Sequence, residues 1–148
     1  MPLIVAVDPG SKNTGLAILG KNKSRRCITI VRSKEITGGN EAAVWMYSAI
    51  LKKIKRYREI DVLLIEAFFG NKRPEINYLI GMLLLVPAKQ TIIMSPKGWK
   101  SRMLPSKLTR DQRKRASLEL AKELGWLPKT DHSADAALMI EDYLNATT

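Results

Sequence analysis

The sequence predicts an α/β fold, a five-stranded mixed sheet built from a three-strand antiparallel meander plus parallel strands and flanked by helices. Three observations predict it. Short apolar runs bounded by turn residues crowd the start of the chain. Helical periodicity sets in only after residue 41, and from there helices and strands alternate. The 148 residues fit one domain with one core, taken as residues 1–148.

Leu3 to Val7 is a continuous apolar run closed by Asp8-Pro9-Gly10, the pattern of a strand buried on both faces. Thr14 to Gly20 follows a short turn as its antiparallel partner. Lys21 to Arg26 reads as a basic turn, and Cys27 to Val31 as the third strand. Over residues 41–58, Ala42, Trp45, Met46, Ala49, Ile50, Ile54 and Tyr57 fall on one helical stripe, with Lys52, Lys55 and Arg56 opposite. Val62 to Ile65 is a second buried strand ending at Glu66. Ile76 to Leu85 reads as a helix with Pro74 near its first turn. Thr91 to Met94 is a short strand stopped by Ser95-Pro96. The stretch from Pro96 to Thr109, with two prolines and several basic residues, reads as a flexible loop. Residues 110–124 form a basic helix ended by Gly125, and 133–145 the last helix.

The formal net charge is +11 and the pI about 10.0, a balance that calls for a polyanionic partner, nucleic acid first. No basic amphipathic segment stands out as a membrane anchor, Gly81 to Val86 is too short to span a bilayer, and Leu3 to Val7 is too short for a signal peptide. The single cysteine, Cys27, excludes an internal disulfide and a cysteine zinc site. An intracellular protein with no membrane partner and no nucleotide cofactor is expected.

Against this basic background three acidic positions stand out. Asp8 ends the first buried strand, Glu66 ends the second, and Asp135 lies just inside the last helix. A carboxylate after four or five apolar residues must leave the core at the strand tip, where open α/β sheets carry their ligand sites. If the two strands are parallel neighbours, Asp8 and Glu66 emerge side by side. Adjacent carboxylates repel, and one protonates unless a cation intervenes. A hard divalent ion with oxygen ligands resolves this, and two such ions clamp the attacking and leaving oxygens in phosphodiester cleavage. His132, three residues before Asp135, shares its helix face and has the chemistry to ligate a metal or to accept a proton. Taken singly, Asp8 is a turn residue, Glu66 an exposed charge and Asp131 a helix cap. The joint pattern points to chemistry.

Asp8-Pro9-Gly10-Ser11-Lys12-Asn13-Thr14-Gly15-Leu16-Ala17 resembles the opening motif of the RuvC-like nucleases. Leu64-Ile65-Glu66-Ala67-Phe68-Phe69-Gly70-Asn71-Lys72 resembles their second motif, an Ile-Glu pair leading to an aromatic and a Lys, and His132-Ser133-Ala134-Asp135-Ala136-Ala137 their third. The three occur in order and frame nearly the whole chain. The resemblance implies an RNase H-like fold, a catalytic and metal-binding centre at Asp8, Glu66, His132 and Asp135, and Mg²⁺ (or Mn²⁺ as substitute), with two ions per site. It implies a homodimer that nicks DNA symmetrically at a four-way (Holliday) junction. It also places Phe69 where an aromatic side chain would stack on an unpaired base at the junction centre. Related RNase H-like nucleases that act on RNA or other branched DNA (YqgF-like proteins) and a non-catalytic DNA-binding module are the alternatives.

Between Lys97 and Lys122 stand nine basic residues, Lys97, Lys100, Arg102, Lys107, Arg110, Arg113, Lys114, Arg115 and Lys122, opposed only by Asp111 and Glu119. Lys72 and Arg73 add to them after the second motif. Of these, Lys72, Arg73, Lys100, Arg102, Lys107, Arg110, Arg113 and Lys114, together with Phe69, are the expected DNA contacts. Phosphate contacts of this kind orient DNA without reading its sequence. The run from Leu79 to Val86 is apolar nearly all round, which suits a share in a dimer interface.

Overall fold

The computed structural model describes residues 1–67 and 73–148. Its elements run β1 (Ile4–Asp8), β2 (Asn13–Leu19), β3 (Arg25–Val31), α1 (Gly39–Ile54), β4 (Ile60–Glu66), α2 (Pro74–Leu83), β5 (Ala88–Met94), α3 (Pro96–Met103), α4 (Arg110–Glu123) and α5 (Asp131–Thr147). The sheet order is β3-β2-β1-β4-β5. β2 pairs antiparallel with both β1 and β3, whereas β1–β4 and β4–β5 are parallel. The meander and the parallel half are therefore both present as the sequence predicts.

The two-residue period of each central strand divides the core. Ile4 and Ala6 of β1, with Val62 and Leu64 of β4, face a layer containing α5, Trp99 and Trp126. Val5 and Val7, with Leu63 and Ile65, face α1 and α2 through Met46, Ile50, Leu79 and Leu83. Both faces of β1 and β4 are covered, which is why these strands read as unbroken apolar runs.

The main difference from expectation is α3. The segment from Pro96 begins as a helix and not as a loop, because Ser95 both ends β5 and caps the helix after it. Its Oγ accepts from the Gly98 N–H at 3.3 Å, and Pro96, which lacks an N–H, takes the first helical position. The fully buried Trp99 ties the helix down. A second difference is the start of α5. The cap is Thr130, whose Oγ accepts from Ser133 N–H, and Asp131 is already helical. Smaller differences stem from exposure. β3 takes in Arg25 and Arg26 of the expected turn, since an edge strand tolerates wet basic residues. α1 stops at Ile54, four residues short of the expected end, and β5 begins at Ala88. Among the described residues no helix is long and apolar enough to cross a membrane.

Candidate active site

The register of β1 on β4 sets the site. Val7 pairs with Ile65, so the next residues, Asp8 and Glu66, leave neighbouring strands at the same end of the sheet. α5 supplies the third carboxylate. Its first turn lies against β2, where Gly15 makes room: a Cβ at that position would overlap the backbone carbonyl of His132. The small residues Ala134, Ala136 and Ala137, all fully buried, let the helix sit low on the sheet. Asp135 thereby faces the strand ends, and His132 Nδ1 stands 3.5 Å from Asp8 Oδ2.

Each site group has a protein partner. Trp99 Nε1 donates to Glu66 Oε2 at 2.6 Å. Lys100 Nζ lies 3.8 Å from Asp135 Oδ2. These partners leave much of the negative charge uncompensated. Burial, and then the charge of Asp8, push the Glu66 pKa up to about 8, with Lys100 and the Trp99 N–H pulling the other way. The same two causes raise Asp135 to about 6, against Lys100 and the Ser117 hydroxyl. His132 is raised by its Asp8 partner, as hydrogen-bond acceptor first and as charge second, although 3.5 Å is long for such a bond.

Two other carboxylates of α5 behave differently. Glu141 is buried but accepts from Trp126 Nε1 at 2.9 Å and lies 3.5 Å from Arg25 Nε. Asp142, also buried, is gripped by the Arg102 fork at 2.8 Å on both oxygens. These structural acids have arginine partners, whereas the cluster at the sheet's carboxyl end has none among the described residues. Arg102, expected to touch DNA, is thus committed to Asp142 and does not line the site cavity.

That cavity, of about 800 Å³, is lined by Asp8, Glu66, Asp131, His132 and Asp135. Lys97, Lys100, Lys107, Arg110, Arg113 and Lys114 line the same cavity, so most of the expected cationic contacts meet here. Lys107 holds a left-handed backbone, with φ of 62°, an uncommon conformation for a side-chain-bearing residue and a frequent companion of functional loops. Arg73 lies at the start of α2, and Phe69 and Lys72 fall outside the described residues. Trp99, Ser117 and Asp131 join the site without having been singled out for it. Only the Ser-Pro helix start hinted that Trp99 would be held in place.

Three carboxylates and an imidazole are the donor set of a hard or borderline divalent cation, and the raised carboxyl pKa values mark charge such a cation would relieve. Among the described residues, however, no three His, Cys, Asp or Glu side chains already stand at the spacing of a metal cage. The donors converge on one cavity, and each leans on its own protein partner.

No protein-family model matches the sequence, and no curated protein matches it. Solved structures do match. Thermus thermophilus RuvC superposes with a TM-score of 0.66 at 18% identity, covering 99% of this chain and 97% of that one. The same protein in complex with a Holliday junction substrate gives 0.64 at 17%, over 99% and 96%. The yeast mitochondrial Holliday junction resolvase gives 0.59 at 14%, over 95% and 78%. The fold is that of the RuvC-type Holliday junction resolvases. In this RuvC-type fold the Asp8 and Glu66 strands are the two central parallel ones, and α5 crosses the meander to reach them.

Proposed function

We propose that the chain is a structure-specific DNA endonuclease that resolves four-way junctions by paired nicking, with divalent cations held by Asp8, Glu66, Asp135 and His132. One observation carries it: in a RuvC-type fold, carboxylates at the sheet's carboxyl end, without arginine partners among the described residues, share a cavity with lysines and arginines. An acidic pocket alone would repel a phosphodiester. The lysines and arginines that line the same cavity give the strand a place to lie while the carboxylates stay within reach of its backbone.

Mg²⁺, or Mn²⁺ in its place, would supply an activated water and charge neutralisation at the leaving oxygen. The chain's own residues do the rest. Asp8 and Glu66, fixed on adjacent strands, define the floor on which the scissile phosphate settles. Asp135, from the second turn of α5, completes the set with Lys100 beside it. Lys100 offsets the negative charge of Asp135 and Glu66. His132 has Asp8 beside Nδ1, a partner that orients the ring for a proton acceptor or a ligand.

Paired nicking needs two sites. On α2, Tyr78 is 55% and Leu85, just beyond its end, 76% exposed, and with Pro74, Gly81 and Met82 they line an apolar groove. Leu79 and Leu83 on the other side of the helix are committed to the core. We assign the outer face to a second copy of the chain, and light scattering should report a dimer.

The test is a nicking assay with Mg²⁺ on synthetic four-way junctions, three-way junctions, RNA–DNA hybrids and linear duplex. Symmetric nicks confined to the four-way junction are expected. Equal cutting of linear duplex, or preference for an RNA strand, would displace the junction assignment in favour of a broader RNase H-like nuclease. Junction binding without cutting would leave a DNA-binding module.

A further inference from the structure

Glu66 differs from its two carboxylate neighbours in how it is held. Asp8 and Asp135 have short side chains. Asp8 faces an imidazole, and Asp135 sits on a helix between the Ser117 hydroxyl and Lys100. Glu66 is longer by one torsion, stands at the tip of a strand, and is repelled by both aspartates. Left alone, its carboxylate would swing away from them. The group that opposes this is the Trp99 indole, whose N–H reaches Glu66 Oε2 at 2.6 Å, a short bond that favours the ionised carboxylate.

The indole is well placed to hold a position. Trp99 is fully buried and is among the largest enclosed side chains of the protein. It belongs to the core cluster with Leu64, Met94, Leu104 and Ala121. The α3 backbone that carries it is pinned at its start by the Ser95 cap and near its end by the Arg102 fork on Asp142. An indole N–H donates only, so it binds a carboxylate oxygen without competing for a cation.

We propose that Trp99 is the positioning residue of the site: its N–H fixes one oxygen of Glu66 against the repulsion of the neighbouring aspartates, leaving the other oxygen for the cavity. The proposal rests on Glu66 belonging to the cation-binding site, and the experiment separates the two ideas. Trp99→Phe keeps a ring in the core and removes the donor. Mn²⁺ titrated by calorimetry into the metal-free protein should bind about ten- to a hundredfold more weakly in this variant. Single-turnover cleavage should slow by a similar factor, whereas junction affinity in Ca²⁺ should change by less than about twofold, because the indole N–H faces the cation site and not the DNA. A role confined to packing would lower the melting temperature and leave the Mn²⁺ affinity of the folded protein intact.

Glu66→Gln is the control. If it binds Mn²⁺ and cleaves like the parent, Glu66 is not in the site and the underlying assignment falls. If Glu66→Gln fails in both while Trp99→Phe matches the parent within about twofold, a span smaller than the weakening expected of a supporting hydrogen bond, only the positioning role is overturned. Should Trp99→Phe not fold, the indole ¹H–¹⁵N resonances of the folded Glu66→Gln protein decide. The Trp99 signal should differ from its position in the parent because its acceptor has changed, and an unmoved signal would overturn the proposal.

Discussion

Gly15 on β2 lies directly beneath the backbone carbonyl of His132, with no room for a side chain between them. This close approach sets the height of α5 above the sheet, and with it the reach of His132 and Asp135 toward Asp8. Gly15→Ala would push the first turn of α5 off β2. Overpacking of this kind costs about 1–3 kcal/mol, so a lower melting temperature is expected together with a loss of cleavage larger than the loss of stability explains. Thermal melts and cleavage rates on the folded fraction check it. A variant with parental activity would show that α5 tolerates a shift.

Asp8→Asn and Glu66→Gln should each abolish cleavage while keeping junction binding. Both substitutions preserve shape and remove a charge from a cluster that suffers from too much of it. Gel-shift binding in Ca²⁺, paired with nicking in Mg²⁺, checks this. Retained nicking in either variant would remove that residue from the site.

The metal-free protein should lose stability as pH rises. Glu66 and Asp135 are raised on folding, to about 8 and about 6. Between their ordinary values and these the folded state holds more protons than the unfolded one, and stability falls with pH. Their contribution is intact below about pH 4 and is progressively lost up to about pH 8. His132, also raised, acts in the same direction as the pH passes its folded value. Melting in EDTA should therefore fall from about pH 6 to about pH 8.5, and Mg²⁺ should restore more at the upper end. A metal-free melting temperature that climbs over this range would contradict the charge balance described.

The basic residues that line the cavity should show themselves in salt dependence. Replacing Arg110 and Arg113 with Ala should weaken junction binding and lower the log–log salt slope by about 2, near 0.9 for each phosphate left unneutralised. Fluorescence anisotropy across a salt series measures it. Arg102→Ala should differ in kind. It strips the partner from buried Asp142, costing about 1–2 kcal/mol of stability after discounting for the exposed guanidinium, and should leave the salt slope unchanged.

Much of this was readable from the chain. Strands buried on both faces announce themselves as apolar runs, and a run that stops at Asp8 or Glu66 places the charge at the strand tip. The meander followed from turn chemistry, and the parallel half from the alternation of helices and strands. α3 was not legible because eight residues carry too little period, and only Trp99 of them is buried. Ser95-Pro96 fits a strand stop as well as a helix start. The arginine partners of Glu141 and Asp142 were hidden for another reason. Arg25 and Arg102 come from distant segments, and no local pattern tells a pairing arginine from a DNA-facing one. The same holds for the Trp99–Glu66 bond, which joins a helix and a strand end far apart in sequence.

The central claim is that the carboxylates around this cavity gather divalent cations. Calorimetric titration of the metal-free protein with Mn²⁺ tests it most directly. Saturable binding of up to about two ions per chain is predicted, lost or severely weakened in Asp8→Asn. No saturable heat, or binding that is indifferent to Asp8, would contradict the account.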